Sequence, residues 1–347
     1  MATGIASGLG ATWGFALEST VGTFATPVAW IPHTKAEFQL KKKPVESKSL
    51  RGNKFLLASR RNILSYTVDG SISLDLASRN FGKLFQAALG STPVNTVQGA
   101  TAAYLQTHAP GTLEGTTLSS QKGIPQVGGT IQAYSYNGLK VTDWTLTVAR
   151  DQIATFDLTL DGWNESTATA YTATSYLAGA SAPSLFDFSL GSLLLGGAIT
   201  FNSTTLSTST GTAPTGIVSA VTIKGTNKVN VNRVPLGSQT KKEQISNDFT
   251  VISGEVEMEF ANPTDFYNNF QADTTTSLFL TLAGRSTIAT GYYPTVQIAI
   301  PAIKWETGTP TESGGEIITV KVPFTAYDDG AGDPVIQLQY LTLDTAP

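Results

Sequence analysis

Apolar and polar residues alternate with a period of two through most of the chain. Ser71 to Leu76, Trp144 to Val148, Thr155 to Leu160, Glu255 to Phe260 and Val335 to Tyr340 all follow the pattern. Successive side chains of a strand point to opposite faces, so each run predicts a strand with one buried and one wet face. Gly128-Gly129 and Gly314-Gly315 mark turns between such runs. Two stretches switch to helical spacing. Phe81, Leu84, Phe85 and Ala88 line one face of a helix that Ser78 or Asn80 is placed to cap and Gly90 to end. A second helix is expected to open at Asn262-Pro263, with Phe266 and Phe270 inward. The pattern predicts a mainly β protein with two helices.

The two helical stretches stand in matching surroundings. Gly70-SISLDLASRNFGKLFQA-Ala88 runs parallel to Gly254-EVEMEFANPTDFYNNFQA-Asp273, and after one inserted residue Phe81, Phe85, Gln86 and Ala87 align with Phe266, Phe270, Gln271 and Ala272. Upstream, Phe38-Gln-Leu-Lys41 matches Val221-Thr-Ile-Lys224; downstream, Val141-Thr-Asp-Trp144 matches Ala302-Ile-Lys-Trp305. Strand, strand, helix, strand, strand therefore occurs twice, the signature of an internal duplication. The small, polar, aperiodic stretch 167–184 reads as a linker. The expected domains are 1–166 and 185–347.

Composition narrows the chemistry. The chain has 347 residues, 41% apolar and only 14% charged, enough apolar surface for a sizeable core. Without cysteine, neither disulfides nor thiolate chemistry is available. The start of the chain has no basic segment followed by an apolar run, so no signal peptide is read there, and no stretch reaches the roughly 18 apolar residues that span a bilayer. Of the two histidines, His33 is expected to begin a strand and His108 to sit in a loop before Pro110. Neither has a carboxylate or second histidine at ligand spacing, and no nucleophile elbow or phosphate loop is present. Asp328, Asp329 and Asp333 lie in a glycine-rich segment whose spacing fits a polar turn better than a calcium loop. No catalytic, cofactor-binding or metal-ligating residue is assigned.

Charge is unevenly spread. Lys35 to Arg61 holds nine basic and two acidic residues, while residues 301–347 hold seven acidic and two basic. The basic residues Lys41, Lys42, Lys43, Lys48, Arg51, Lys54, Arg60 and Arg61 allow three readings: a solvated loop, nucleic-acid binding, or a contact with the acidic surface of another copy. Sparse aromatics in the segment argue against base stacking. One strand face carries Glu255, Glu257 and Glu259, and its first-half counterpart carries Ser71, Ser73 and Asp75. Besides an ordinary solvent face, this suits a wall past which a polyanion slides, because it offers no cations for which DNA would exchange its counterions.

Several segments in order resemble the tail tube proteins of long-tailed bacteriophages and prophages, a family common in phages of actinobacteria. These are TWGFALESTVGTFATPVAWIP with Glu18, Thr20, Gly22 and Pro27; GSISLDLASRNFGKLFQAALG from Gly70; YNGLKVTDWTLTVARDQIATFDLTLDG from Tyr136; and the final LQYLTLDTAP. The likeness is weakest through 163–220. It implies tandem β-sandwiches or barrels, each with a flanking helix, in a structural protein that is not an enzyme and uses no cofactor. It further implies a virion protein assembled in the host cytoplasm, without a membrane anchor, that closes into rings and stacks into a channel for DNA. Viral DNA would pass without specific binding. The duplication predicts trimeric rings with pseudo-six-fold symmetry, hexameric rings being the alternative. Tape-measure, tail terminator and distal tail proteins are the implied partners. The basic residues are then candidate contacts between subunits or rings, and the two matched strand faces the candidate lumen. A secreted or surface β-sandwich that binds carbohydrate is the competing reading.

Overall fold

A computed structural model describes residues 7–347 except Arg51, Asn53, Gly308, Ser313 and Glu316. Strands dominate. The first half runs β1 (Thr12–Leu17), β2 (Ala29–Trp30), β3 (Lys35–Glu46), β4 (Arg61–Asp75), helix α1 (Gly82–Leu89), β5 (Val94–Val97), β6 (Tyr104–His108), β7 (Leu118–Pro125), β8 (Ile131–Ala149), β9 (Thr155–Gly162) and β10 (Asn164–Ser166). The second runs β11 (Gly191–Leu195), the short hairpin β12 (Ile199–Thr200) and β13 (Thr208–Ser209), β14 (Val218–Thr226), β15 (Val251–Glu259), helix α2 (Tyr267–Gln271), β16 (Thr276–Ala283), β17 (Thr295–Trp305), β18 (Thr319–Ala326) and β19 (Gln337–Thr342). All strand pairings between these elements are antiparallel. The fold is mainly β.

Pairing follows the same order in both halves. In the first, β3 pairs with β4, β4 with β9, β9 with β8, β8 with β7 and β7 with β1. In the second, β14 pairs with β15, β15 with β18, β18 with β17, β17 with β16 and β16 with β11. Register agrees as well. Phe38, Gly70, Leu160 and Val141 are successive partners across β3, β4, β9 and β8. Ile223, Gly254, Phe324 and Trp305 are successive partners across β14, β15, β18 and β17. Ile223, not Val221, thus stands where Phe38 does, and Trp305 faces the position of Val141, two strand residues from the expected Trp144. Both rows need their glycine: a Cβ on Gly70 would collide with the Phe38 ring, and one on Gly254 with the Phe324 ring and the Thr222 carbonyl.

The halves are joined edge to edge. Residues 143–149 of β8 pair with 220–226 of β14, so one sheet passes from the first half into the second. A second seam pairs β6 with β19, which also pairs with β17. The apolar faces meet in one cluster that includes Trp13, Phe15, Phe81, Phe85, Trp144, Phe156, Phe266, Trp305 and Tyr340. Burying such aromatic groups is the main favourable term of the fold.

Both helices differ from expectation at their starts. Helix α1 begins after Phe81 and has no side-chain cap. Of its two candidate caps, Ser78 is engaged elsewhere, its hydroxyl accepting from Ser184 N (2.9 Å). Asn80 sits at φ 69°, outside the extended conformation of a cap, with its backbone N donating to Asp344 Oδ2 (2.6 Å). Gly90 ends it in the left-handed conformation, as expected. Helix α2 starts only at Tyr267, because Asn262 Oδ1 accepts from Thr264 N (2.8 Å) and closes a turn before it. His33 precedes β3 rather than opening it, and His108 closes β6, fully buried, rather than lying in a loop. Segment 167–184 holds no strand or α-helix and lies along the first half, with Thr172 N donating to Gln121 Oε1 (2.7 Å).

Candidate functional site

Two features carry the candidate residues: a polar sheet face and a basic arm. The face is set by strand alternation. Ser71, Ser73 and Asp75 on β4 and Glu255, Glu257 and Glu259 on β15 are half-buried, while Ile72, Leu74, Val256 and Met258 between them are buried in the core. Register brings the two groups together across the β8·β14 seam. Asp75, Thr155, Thr147, Thr222, Glu255 and Pro323 are successive partners in one row. The next row runs Lys35, Ser73, Asp157, Thr145, Lys224, Ser253, Thr325 and Lys304, crossing eight strands of both halves. Threonines of β9, β8 and β14 fill much of the middle of this face, with Asp157 and Lys224 among them. Among its charges, Glu257 pairs with Lys321 (3.0 Å) and raises the pKa of that lysine. Sequence reading found two strands of the face and missed the rest. The same alternation in β9 and β14 was visible, but which strands lie side by side was not.

The arm is the outer part of the β3–β4 hairpin. Past Val68 the strand partner of β4 among the described residues is β3 alone. The base of the arm is met by the 227–250 segment, with Tyr66 N donating to Gln239 O (3.0 Å) and Gln239 Nε2 to Ile63 O (2.6 Å). Lys41 pairs with Asp69, the Lys42 ammonium lies over the Tyr66 ring at 6.0 Å, and Arg61 meets Glu46 at 3.4 Å. Lys43, Lys48, Lys54 and Arg60 are exposed as well; Arg51 lies outside the described residues. Val45, Leu50, Leu56 and Leu64 are exposed among them. Cations interleaved with exposed aliphatic groups suit a protein surface better than a DNA backbone. Surface ion pairs such as these contribute little to stability.

The matching connection in the second half behaves differently. Residues 227–250, between β14 and β15, fold back onto the first half. The buried Lys241 ammonium pairs with Asp161 (2.5 Å), whose other oxygen accepts from Gln244 Nε2 (2.7 Å). Trp163 Nε1 donates to Gln244 Oε1 (3.2 Å), and the buried Lys140 pairs with Glu243 (2.8 Å). Burial pushes the Asp161 carboxyl up, opposed by Lys241 and Gln244, and pushes the Lys140 ammonium down, opposed by Glu243. No sequence motif marks this docking.

The remaining polar groups serve structure. Glu18 is buried and accepts from Gly22 N, Thr117 Oγ1, Ser119 Oγ and Gly138 N at 2.6–2.8 Å, tying β1 to β7 and β8. Asp328 and Asp329 accept from Gly330 N and Ala331 N, the geometry of a polar turn. Among the described residues no group of three or more metal-ligating side chains occurs, and no helix is long and apolar enough to cross a membrane.

These features define a structural β protein whose buried charges fasten one half to the other and whose polar groups are spread over a sheet face. The model of the phage tail tube protein family matches residues 8–326. The chain belongs to that family, a structural one, and is a virion component. No curated protein matches it.

Proposed function

We propose that the chain closes into rings that stack to form the channel through which phage DNA passes, with the polar sheet face as the channel wall. The observation that carries this reading is the row from Lys35 to Lys304, which keeps hydroxyls and charges on one side of a sheet running unbroken through both halves. Lys35, Lys304 and Lys321 on this face are each paired with a carboxylate, Glu37, Asp273 and Glu257, which leaves hydroxyls, carboxylates and Lys224 to meet a polyanion. A face with so few unpaired cations exchanges few counterions, so DNA slides past it. Closing such a sheet into a ring removes its exposed edges.

The shared pairing order and register of the halves support an internal duplication, with repeats in 1–166 and 185–347 joined through 167–184. Three copies then supply six equivalent units, a trimeric ring with pseudo-six-fold symmetry. The tape-measure, tail terminator and distal tail proteins are its partners in the virion, and assembly takes place in the host cytoplasm. Electron microscopy of the concentrated protein, averaged down the particle axis, tests this. Stacked rings with three-fold symmetry and six similar lobes are expected. Hexameric rings of whole chains would overturn the duplication, and particles that stay single at every salt and concentration would favour the carbohydrate-binding alternative.

A further inference from the structure

The chain holds a single Asn-Gly pair, Asn137-Gly138. Such a pair is chemically fragile, because a glycine has no side chain to keep its backbone nitrogen away from the asparagine Cγ. The nitrogen loses its proton and attacks Cγ. The N–Cγ bond forms, the Cγ–Nδ2 bond breaks, and ammonia leaves with the proton. Water then opens the resulting succinimide to aspartate or isoaspartate. We infer that Asn137 is a latent site of this modification and that the Glu18 carboxylate keeps it silent in the folded chain.

Strand β8 carries a bulge at this point. Tyr136 pairs with Ser120 and Leu139 with Leu118, so Asn137 and Gly138 together stand opposite Ser119. Gly138 is buried at φ 63°, and its N–H donates to Glu18 Oε1 (2.7 Å). The carboxylate is buried too and is fixed by Gly22 N, Thr117 Oγ1 and Ser119 Oγ. Taking the proton from Gly138 would leave a nitrogen anion beside this carboxylate in the low-dielectric interior, and like charges that close disfavour each other strongly. The Asn137 amide is tethered as well, with Nδ2 donating to Gly22 O (2.5 Å). The Trp163 ring fills the space beside both glycines, where a Cβ on Gly22 or Gly138 would collide with it.

The site lies under the joint between the halves. Asn137 O accepts from Trp163 N (3.1 Å), and Gly138 O accepts from Gln244 Nε2 (3.3 Å) in the 227–250 segment. Aspartate at 137 would lose the donor to Gly22. Isoaspartate would add a methylene to the backbone between the Trp163 and Gln244 contacts. Either product would loosen the sealed connection.

The test uses the full-length protein and does not depend on ring formation. The protein is held at mildly alkaline pH, and peptide mapping separates asparagine, aspartate and isoaspartate at position 137. Folded wild type is expected to keep Asn137, and urea-unfolded wild type to lose it. Glu18→Gln keeps the shape of the side chain and removes its charge. That variant, shown to be folded by circular dichroism, is expected to deamidate roughly tenfold or more faster than folded wild type, the size of one lost hydrogen bond to a charged group. Should it fail to fold, Glu18→Asp, whose carboxylate falls short of Gly138 N, replaces it with the same expectation. Thr117→Val is the control: it removes another donor to Glu18 but leaves the carboxylate on Gly138, and should keep Asn137. Equal rates in folded and unfolded wild type would overturn the inference. So would a Glu18 variant as slow as the wild type. A Thr117→Val protein as fast as the Glu18 variant would overturn it too, because rigidity rather than the carboxylate would then be the protection.

Discussion

The β3–β4 and β14–β15 connections occupy the same place in two equal pairing orders, yet one stands out from the sheet and the other is sealed against the opposite half. The difference is chemical. The second carries Lys241, Glu243 and Gln244, which meet an acid, a base and an indole of the first half at hydrogen-bond distance. The first carries a run of cations and leucines; among the described residues its ion pairs are to Asp69 and Glu46, and its base is held by Gln239 through the Tyr66 and Ile63 backbone. Two halves with one pairing order can satisfy one junction internally and leave the other open. An open junction is what a closed ring needs at each subunit boundary.

Breaking the sealed connection should have the largest effect. Lys241→Met leaves the Asp161 carboxylate buried without its cation, and removing one partner of a buried ion pair costs about 3–5 kcal/mol. Urea unfolding should show that loss, and Asp161→Leu in the same chain should recover most of it. A loss under about 1 kcal/mol would mean the 227–250 segment is held by something other than this pair, and the contrast between the two connections would weaken.

The equivalence of the halves can be probed at their matched glycines. Gly70→Ala and Gly254→Ala each force a methyl group into an aromatic ring, an overpacking that costs about 1–3 kcal/mol. The Gly254 variant should be the worse, because its methyl also meets the Thr222 carbonyl, and a backbone atom yields less than a ring. Thermal melts of the two variants side by side would measure this. If only one loses stability, the shared register does not reflect shared packing.

What the sequence made legible was local. Alternation fixes which residues of β4 and β15 share a face, so the six polar positions were found with no knowledge of neighbours. Gly90 ends α1 by its own backbone preference. What stayed hidden depends on partners distant in the chain. The β8·β14 seam joins strands with no local mark of pairing. Ser78 and Asn80 look like caps, but the Ser78 hydroxyl is claimed by Ser184 and Asp344 holds the Asn80 backbone at a positive φ. The likeness of the two halves was visible, but its register on β3 and β14 was off by one pleat. A shift of two residues keeps every side chain on its face, so the hydrophobic pattern cannot detect it.

His108 is the clearest such case, and it supplies the smallest of the expected effects. Ala109 and Pro110 suggested a loop, but pairing with Leu338 on β19 draws His108 into the core, against the Phe85 ring at 5.7 Å. Neither ring nitrogen has a hydrogen-bond partner in the protein, and burial pushes the pKa down to about 3. The imidazole is therefore neutral in the folded chain, while the unfolded chain takes up a proton near pH 6.5. Its contribution is fully present above that pH and is lost as pH falls from there toward 3, at about 1.4 kcal/mol per pH unit. His33, also held down by burial and by Lys122, acts with the same sign, so the decisive comparison is with His108→Phe. At pH 7.5 the variant should match the wild type closely. At pH 5.5 it should be relatively more stable by about 1.4 kcal/mol, read from urea midpoints. Equal pH dependence in the two proteins would mean the β6·β19 seam opens enough to let water reach the imidazole, and that the second junction between the halves is looser than the first.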